Sequence, residues 1–281
     1  MLNDFYPAKT IFQEKMTDYG LVSIITPTYN SSKYIGETIE SIQAQTYKNW
    51  ELLITDDCSV DESRDIIRTY MDKDPRIKLF TLDSNKGAGV ARNNSIQEAK
   101  GRFIAFCDSD DRWTPDKLEK QLKFMVGNNF TLTYTSYLTC SEKGVINGIV
   151  NCLPEITRLK IIRDNGIGCL TAIYDKDKIG KVYMPEYRKR QDWCLWIDII
   201  SKTVPAKGLD ECLAIYRLQN DSVSSGKIGL LKYNYDVYNK HLKHNPIASA
   251  LMLGGFFLPY YFYKKIKQKF NFKKYQKTMN K

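Results

Sequence analysis

Short apolar runs separated by stretches of helical periodicity organise the first 120 residues of the chain. Leu21 to Thr26, Trp50 to Thr55, Ile77 to Thr81 and Phe103 to Cys107 each have the length and bounded apolar character of a strand buried in a sheet. Between them, Ile35, Ile39 and Ile42 recur at helical spacing, and Asp61 can cap a helix through Ile66, Ile67 and Tyr70. A third helix near Val90 to Asn93 is expected to end at Lys100-Gly101, with the glycine as its C-cap. Thr114-Pro115 offers an N-cap and a first-turn proline to a fourth. This alternation predicts an α/β fold with a mostly parallel central sheet flanked by helices.

The rhythm loosens afterwards. Leu132 to Tyr137 reads as a strand, Pro154 to Arg163 as a helix and Cys169 to Tyr174 as a further strand. Asp192, Leu195, Trp196 and Ile199 then fall at i, i+3, i+4 and i+7, which puts a carboxylate at the head of a buried helical stripe. That carboxylate reads equally as a general base or as a helix cap. Gly229 to His244 reads as a helix rich in Leu and Tyr, and Pro246 to Tyr263 is almost wholly apolar but broken by Pro259 and two glycines. At about 17 residues this segment suits lying on a bilayer better than crossing one.

Polar residues gather where the early strands stop: Thr28-Tyr29-Asn30, Asp56-Asp57, Asn85-Lys86 and Asp108-Ser109-Asp110. Open parallel sheets bind ligands at that edge. Side chains alternate along an extended chain, so Asp108 and Asp110 leave the strand on one side and ask for a cation. A basic side chain would make the cluster structural, and a divalent metal would leave positions for phosphates; a plain polar turn is the third possibility. Neither a phosphate-cradling P-loop nor a Gly-x-Gly-x-x-Gly follows the first strand, which leaves a nucleotide held by side chains and a metal.

Charge changes the picture at one end only. The net charge is +10, but residues 264–281 hold eight lysines and no acid, leaving 34 basic against 32 acidic residues elsewhere. A lysine tail directly after an apolar aromatic segment points to an anionic membrane surface. The lack of a basic and aromatic stripe across the sheet argues against nucleic acid. Seven dispersed cysteines without a Cys-x-x-Cys pair fit reduced thiols, and Met1 to Gly20 lacks a secretory pattern, so a cytoplasmic protein is expected. His241 and His244 are too isolated for a metal site and are expected at the surface.

Four blocks taken together, Thr26-Pro-Thr-Tyr-Asn30, Thr55-Asp-Asp-Cys-Ser-Val-Asp61, Gly89-Val-Ala-Arg-Asn93 and Asp108-Ser-Asp-Asp111, resemble the nucleotide-binding half of inverting family 2 glycosyltransferases. That resemblance implies a GT-A fold and a metal-dependent transferase. Pro27 and Tyr29 would flank the base, typically uracil, Asp57 would hydrogen-bond it, and Arg92 would lie near the nucleotide. Asp108 would face the ribose or the metal, and Asp110 would ligate Mn2+ or Mg2+. Thr55 and Cys58 depart from the family's usual apolar residue and Gly, which implies altered loop packing. Later in the chain, Asp192 matches the family's general base, although Gln191 replaces its acidic neighbour. Tyr216-Arg217 with Ser222-Val-Ser224 is similar to a further block, with Gln219 where many members have His; Arg217 would screen the leaving diphosphate or pair with an acid.

The resulting expectation is a leader over residues 1–20, a catalytic domain over 21–225 with its nucleotide-binding half at 21–118 and acceptor-binding half at 119–225, and a membrane-associating region over 226–281. The implied reaction moves one sugar from a nucleotide sugar, a UDP-sugar by the resemblance, to a saccharide or lipid-linked acceptor with inversion. Its setting would be the inner face of the cell membrane during surface polysaccharide assembly. An inactive nucleotide-sugar-binding homologue and a nucleotidyltransferase remain as alternatives.

Overall fold

The computed structural model describes residues 17–219 and 227–279; most of the expected leader and the Ser222-Val-Ser224 block lie outside them. Ten strands and ten α-helices follow in chain order. The first part comprises β1 (Val22–Thr28), α1 (Ile35–Gln43), β2 (Trp50–Asp56), α2 (Ser63–Met71), β3 (Ile77–Thr81), α3 (Ala88–Glu98) and β4 (Phe103–Phe106). Next come β5 (Arg112–Trp113), α4 (Lys117–Gly127), β6 (Leu132–Cys140), β7 (Ile146–Val150), β8 (Glu155–Ile156), α5 (Arg158–Arg163) and β9 (Ile173–Asp175). After α6 (Lys176–Ile179), α7 (Gln191–Lys202) and β10 (Ala206–Arg217), the C-terminal part holds α8 (Lys227–Asp236), α9 (Pro246–Leu251) and α10 (Leu258–Met279). Two π-helical stretches, Val237–His241 and Met252–Phe257, join these last helices.

All ten strands form one sheet. Its order is β3-β2-β1-β4-β9-β6-β10-β5, with β7 beside β6 and β8 beside β10. The first four strands are mutually parallel, and β10 is parallel to β6. β9 runs antiparallel between β4 and β6, so those two blocks point the same way and the sheet is mostly parallel. Ile25 sits level with Leu53 and Phe106.

Strand alternation divides the core in two. Ile25, Leu53, Ile104 and Phe106 pack on one face with Ile96 of α3 and Trp193 and Trp196 of α7. Ile24, Leu52, Ile54 and Ala105 pack on the other with Ile35, Ile39 and Ile42 of α1 and Leu118 and Leu122 of α4. Both faces of β1, β2 and β4 are therefore desolvated, which is why these segments read as continuous apolar runs, whereas β3 at the sheet edge buries only Ile77 fully.

Four expectations about elements change. Residues 154–157 do not begin a helix: Glu155 and Ile156 pair with β10, and α5 starts after Thr157, whose Oγ1 accepts from Lys160 N–H. Cys169–Thr171 forms one 3-10 turn closed by the Thr171 hydroxyl on Gly168 O, and the strand begins only at Ile173. Gly101 is not a C-cap, since α3 ends at Glu98; a Cβ on Gly101 would lie 2.6 Å from Leu21 O, so the glycine is required by close backbone approach. α4 starts at Lys117 and not at Pro115.

The C-terminal helices pack against the sheet-and-helix core. Val237, Tyr238 and Phe257 are buried in the cluster that holds Trp193, with the Phe257 and Trp193 ring centroids 5.8 Å apart. His241 is not a free surface residue either, because its Nε2 lies 2.9 Å from Asp198 Oδ1 on α7. Among the described residues no helix is long and apolar enough to cross a membrane.

Candidate active site

The carboxyl ends of β1, β2 and β4 are knitted into one shelf by hydrogen bonds between their loops. Asn30, which tolerates its left-handed φ of 48°, donates its N–H to Ser59 Oγ and accepts from Val60 N–H through Oδ1, both at 2.9 Å. Ser31 N–H donates to Ser63 Oγ at 2.7 Å, and Ser32 N–H to Asp61 Oδ2 at 3.0 Å. Asp61 also accepts from the N–H of Ser63, the first residue of α2, but from one position before the N-cap: Glu62 takes that place with no side-chain capping bond, so Asp61 braces the helix start and ties two loops rather than capping as expected. Ser31 and Ser109 hydroxyls meet at 2.8 Å. Cys58 stands in the left-handed region at φ 65°, which explains in backbone terms why glycine is usual there.

Asp57 orders the next loop. It is buried, and its two carboxylate oxygens accept the N–H groups of Lys86 and Gly87 at 2.7 Å each. That contact fixes the entry to α3, whose first turns carry out three jobs. Gly89 allows the start of α7 to approach, since a Cβ there would be 3.1 Å from Gln191 Cγ. Arg92 is buried and donates to Asp108 Oδ1 at 2.5 Å. Asn93 exchanges two 2.8 Å hydrogen bonds with the backbone of Met184, which holds the segment leading to α7.

The acidic cluster is strained electrostatically. Burial, and then the neighbouring Asp108 charge, push the Asp110 carboxyl up to about 6 even though its Oδ2 accepts from Gln219 Nε2 at 2.6 Å. Asp111 is fully buried; burial and its two acidic neighbours raise it well above the usual range, and its Oδ2 has no partner among the described residues. On Arg92, burial acts to lower the guanidinium, and the charges of Asp108 and its surroundings outweigh this and raise it. The site thus holds more negative charge than Arg92 alone relieves. Among the described residues no three His, Cys, Asp or Glu side chains converge as a metal cage. Two carboxylates with open positions suit Mg2+ or Mn2+, which complete their shells with water and phosphate oxygens.

Asp192 lies in the first turn of α7, behind Arg190 in the left-handed conformation at φ 68°. It makes no capping bond. Instead its Oδ2 accepts from Asn165 Nδ2 at 2.8 Å, while Leu195, Trp196 and Ile199 below it are fully buried. The helix stripe therefore anchors the carboxylate and leaves its other oxygen to the cleft. Nothing in the sequence singled out Asn165, which sits in an irregular loop 27 positions from its partner.

Pro27, Tyr29, Asp57, Arg92, Asp108, Asp110 and Asp192 all line one cleft of about 1040 Å3. Arg217 has another place. It is buried on β10, where its guanidinium donates to Glu37 Oε2 at 2.6 Å, Glu142 O at 2.8 Å and Asp110 O at 3.0 Å, and stacks over Tyr34 at 4.5 Å. It holds the Asp110 backbone from behind and does not line the cleft.

Residues 23–173 match the model of glycosyl transferase family 2. Over 221 residues the chain is 41% identical to TuaG of Bacillus subtilis, named for teichuronic acid biosynthesis, covering 78% of this chain and 88% of that one. It is 39% identical over 239 residues to WfgD of Escherichia coli, a UDP-Glc:alpha-D-GlcNAc-diphosphoundecaprenol beta-1,3-glucosyltransferase, covering 85% and 92% respectively. In three dimensions it resembles residues 1-349 of Staphylococcus aureus TarS in complex with UDP-GlcNAc, with a TM-score of 0.68 and 24% identity over 84% of this chain and 71% of that one. It also resembles the mannosyltransferase PcManGT of Pyrobaculum calidifontis in complex with GDP-Man and Mn2+, at TM-score 0.61 and 16% identity over 83% and 69%.

Proposed function

Since the chain belongs to glycosyl transferase family 2, we propose that it transfers one sugar from a UDP-sugar to a lipid-linked saccharide with inversion. The observation that carries this reading is the meeting of two carboxylate systems in one cleft, Asp108-Asp110 at the strand ends and Asp192 at the head of α7. Pro27, Tyr29 and Asp57 would receive the base and Arg92 the nucleotide. Asp110, with Asp108, would hold Mn2+ or Mg2+, which when bound supplies positive charge to the departing diphosphate.

Asp192 serves as the general base. It takes the proton of the acceptor hydroxyl as that oxygen attacks the anomeric carbon from the face opposite the diphosphate, a contribution of about 100-fold to 10,000-fold. One displacement inverts the anomeric centre. Asn165 holds the carboxylate by one oxygen, so the other meets the acceptor.

Support for a lipid-linked acceptor comes from WfgD, whose name specifies one, and from the C-terminal helices. Ile247, Leu251, Phe262 and Ile266 there are 76%, 69%, 62% and 58% exposed, an apolar face suited to the interfacial layer of a bilayer. The protein would then work peripherally on the cytoplasmic face.

The test is hydrolysis of a panel of nucleotide sugars with and without Mn2+ by the native protein and by Asp110→Ala. Metal-dependent hydrolysis of one UDP-sugar, lost in Asp110→Ala, is the expected result. Absence of both turnover and calorimetric UDP binding would overturn the reading.

A further inference from the structure

The cleft has a third stretch that no sequence motif touches. Its far wall is α10, which contributes Tyr260, Tyr261, Lys264, Lys265 and Lys267. This helix is fixed relative to the base. Lys264 Nζ lies 2.5 Å from Asp164 Oδ2 and 3.1 Å from Asn165 O, and the Asn165 side chain donates to Asp192. From below, the Arg163 guanidinium stacks over Tyr260 at 3.6 Å, and Phe257 is buried beside Trp193.

Helical geometry then distributes the remaining side chains. At about 100° per residue, Phe262 and Ile266 point away from Lys264 toward solvent, and Lys265 and Lys267 fall at the two margins between the apolar back and the cleft. Both lysines are exposed and both line the cleft. The acids lining the cleft are Asp57, Asp108, Asp110 and Asp111 on the donor shelf, Asp164, which pairs with Lys264, and Asp192, the base; Lys265 Nζ lies 5.8 Å from the centre of the Tyr261 ring. An acceptor reaching Asp192 from a membrane must pass its linkage to the lipid between that apolar back and the base, which is where the two ammonium groups stand.

We propose that Lys265 and Lys267 form the subsite for a diphosphate that joins the acceptor saccharide to its lipid. The proposal rests on the lipid-linked acceptor reading of the preceding section. A phosphate on a lysine pair is a charge-assisted contact, and the flexible lysine stems let it slide with the carrier. The same chemistry could be met by anionic headgroups, so the experiment separates the two sources.

The full chain is assayed in neutral detergent with two acceptors bearing the same saccharide, one on a short prenyl diphosphate and one on an uncharged octyl group. For K265A/K267A the KM of the diphosphate acceptor is expected to rise about tenfold with kcat little changed, the KM of the octyl acceptor to stay within about twofold, and K265R/K267R to restore most of the loss. Equal rises for both acceptors would overturn the proposal, and so would loss of binding to phosphatidylglycerol vesicles with no change in either KM. Titration of the prenyl diphosphate saccharide into native and K265A/K267A protein reads the subsite without turnover. Binding weakened about tenfold supports it, and equal binding overturns it. Failure of the native protein to hydrolyse or bind any nucleotide sugar would instead sink the glycosyltransferase reaction while leaving this titration to judge the subsite.

Discussion

The two ends of the cleft, the proposed donor end and the proposed acceptor end, are built in different ways. At the donor end, Asp57, Asp108 and Asp110 stand at the tips of parallel strands, and loops tied by Ser59, Ser63 and Asp61 hold them. At the acceptor end, Asp192 is held by Asn165 from a loop, and that loop by Lys264 from the other end of the chain. The donor end inherits its precision from the sheet. The acceptor end depends on an irregular loop and a helix that are not part of the sheet, so its geometry can change without disturbing the strands. A scaffold of this kind keeps its nucleotide site while the acceptor varies.

The largest effect that tests this division is on Asp192. Asp192→Asn should lower transfer by about 1,000-fold and leave UDP affinity, read by calorimetry, within about twofold. A matching loss of UDP binding would mean that the two ends are not separable. Arg92→Met should do the reverse kind of damage. It leaves Asp108 beside Asp110 without its buried cation and should cost about 3 kcal/mol of stability by denaturant unfolding, with UDP affinity falling too. Retention of full stability would show that Asp108 is satisfied by solvent and that the donor end is softer than described.

Lys117 lies under the acidic strand end. It is fully buried on α4, with Nζ 4.1 Å from the Trp113 ring and 2.9 Å from Gln121 Oε1, and burial pushes its ammonium down to about 7. Below about pH 7 the folded chain carries the buried charge in full; between about 7 and 10 the unfolded chain binds a proton that the folded chain lacks, so stability from this group rises with pH. Lys117→Met should therefore raise stability by roughly 2 kcal/mol near pH 6 and by less near pH 9, as read from Tm across that range. A gain independent of pH would assign the effect to packing. The smallest change is Cys58→Gly, which relieves a left-handed backbone and should add up to about 1 kcal/mol. A loss of stability there would show that the Cys58 side chain packs more favourably than its backbone costs.

The same division governs what could be read from the sequence. β1 to β4 and the helices between them follow from local periodicity, because β1, β2 and β4 are desolvated on both faces, β3 is partly covered at the edge, and each helix buries one side. The donor residues follow from their position at strand ends. By contrast, Asn165 carries no local signal, and Lys264 stands out in the sequence only as the first of a run of lysines, whereas it pairs with Asp164; their role comes from an irregular loop and a distant helix meeting. Arg217 was legible as a residue of the right block, but only the fold shows its guanidinium facing Glu37 and Glu142 behind the cleft. The capping alternative for Asp192 was equally compatible with its spacing, and it is the left-handed Arg190 before it that takes the N-cap position.

The seating of Phe257 against Trp193 also sets an order of events during synthesis. Chains emerge N-terminus first and fold as they emerge, so the donor shelf has every strand it needs well before translation reaches Phe257. Until that ring arrives, the Trp193 indole of α7 is covered by Tyr238 but lacks its Phe257 contact, and Lys264 cannot brace the loop that holds Asp192. The strand-end shelf is thus complete in the nascent chain before the loop that holds Asp192 is braced, and it is the helices carrying Phe257 and Lys264 that finish the other end of the cleft.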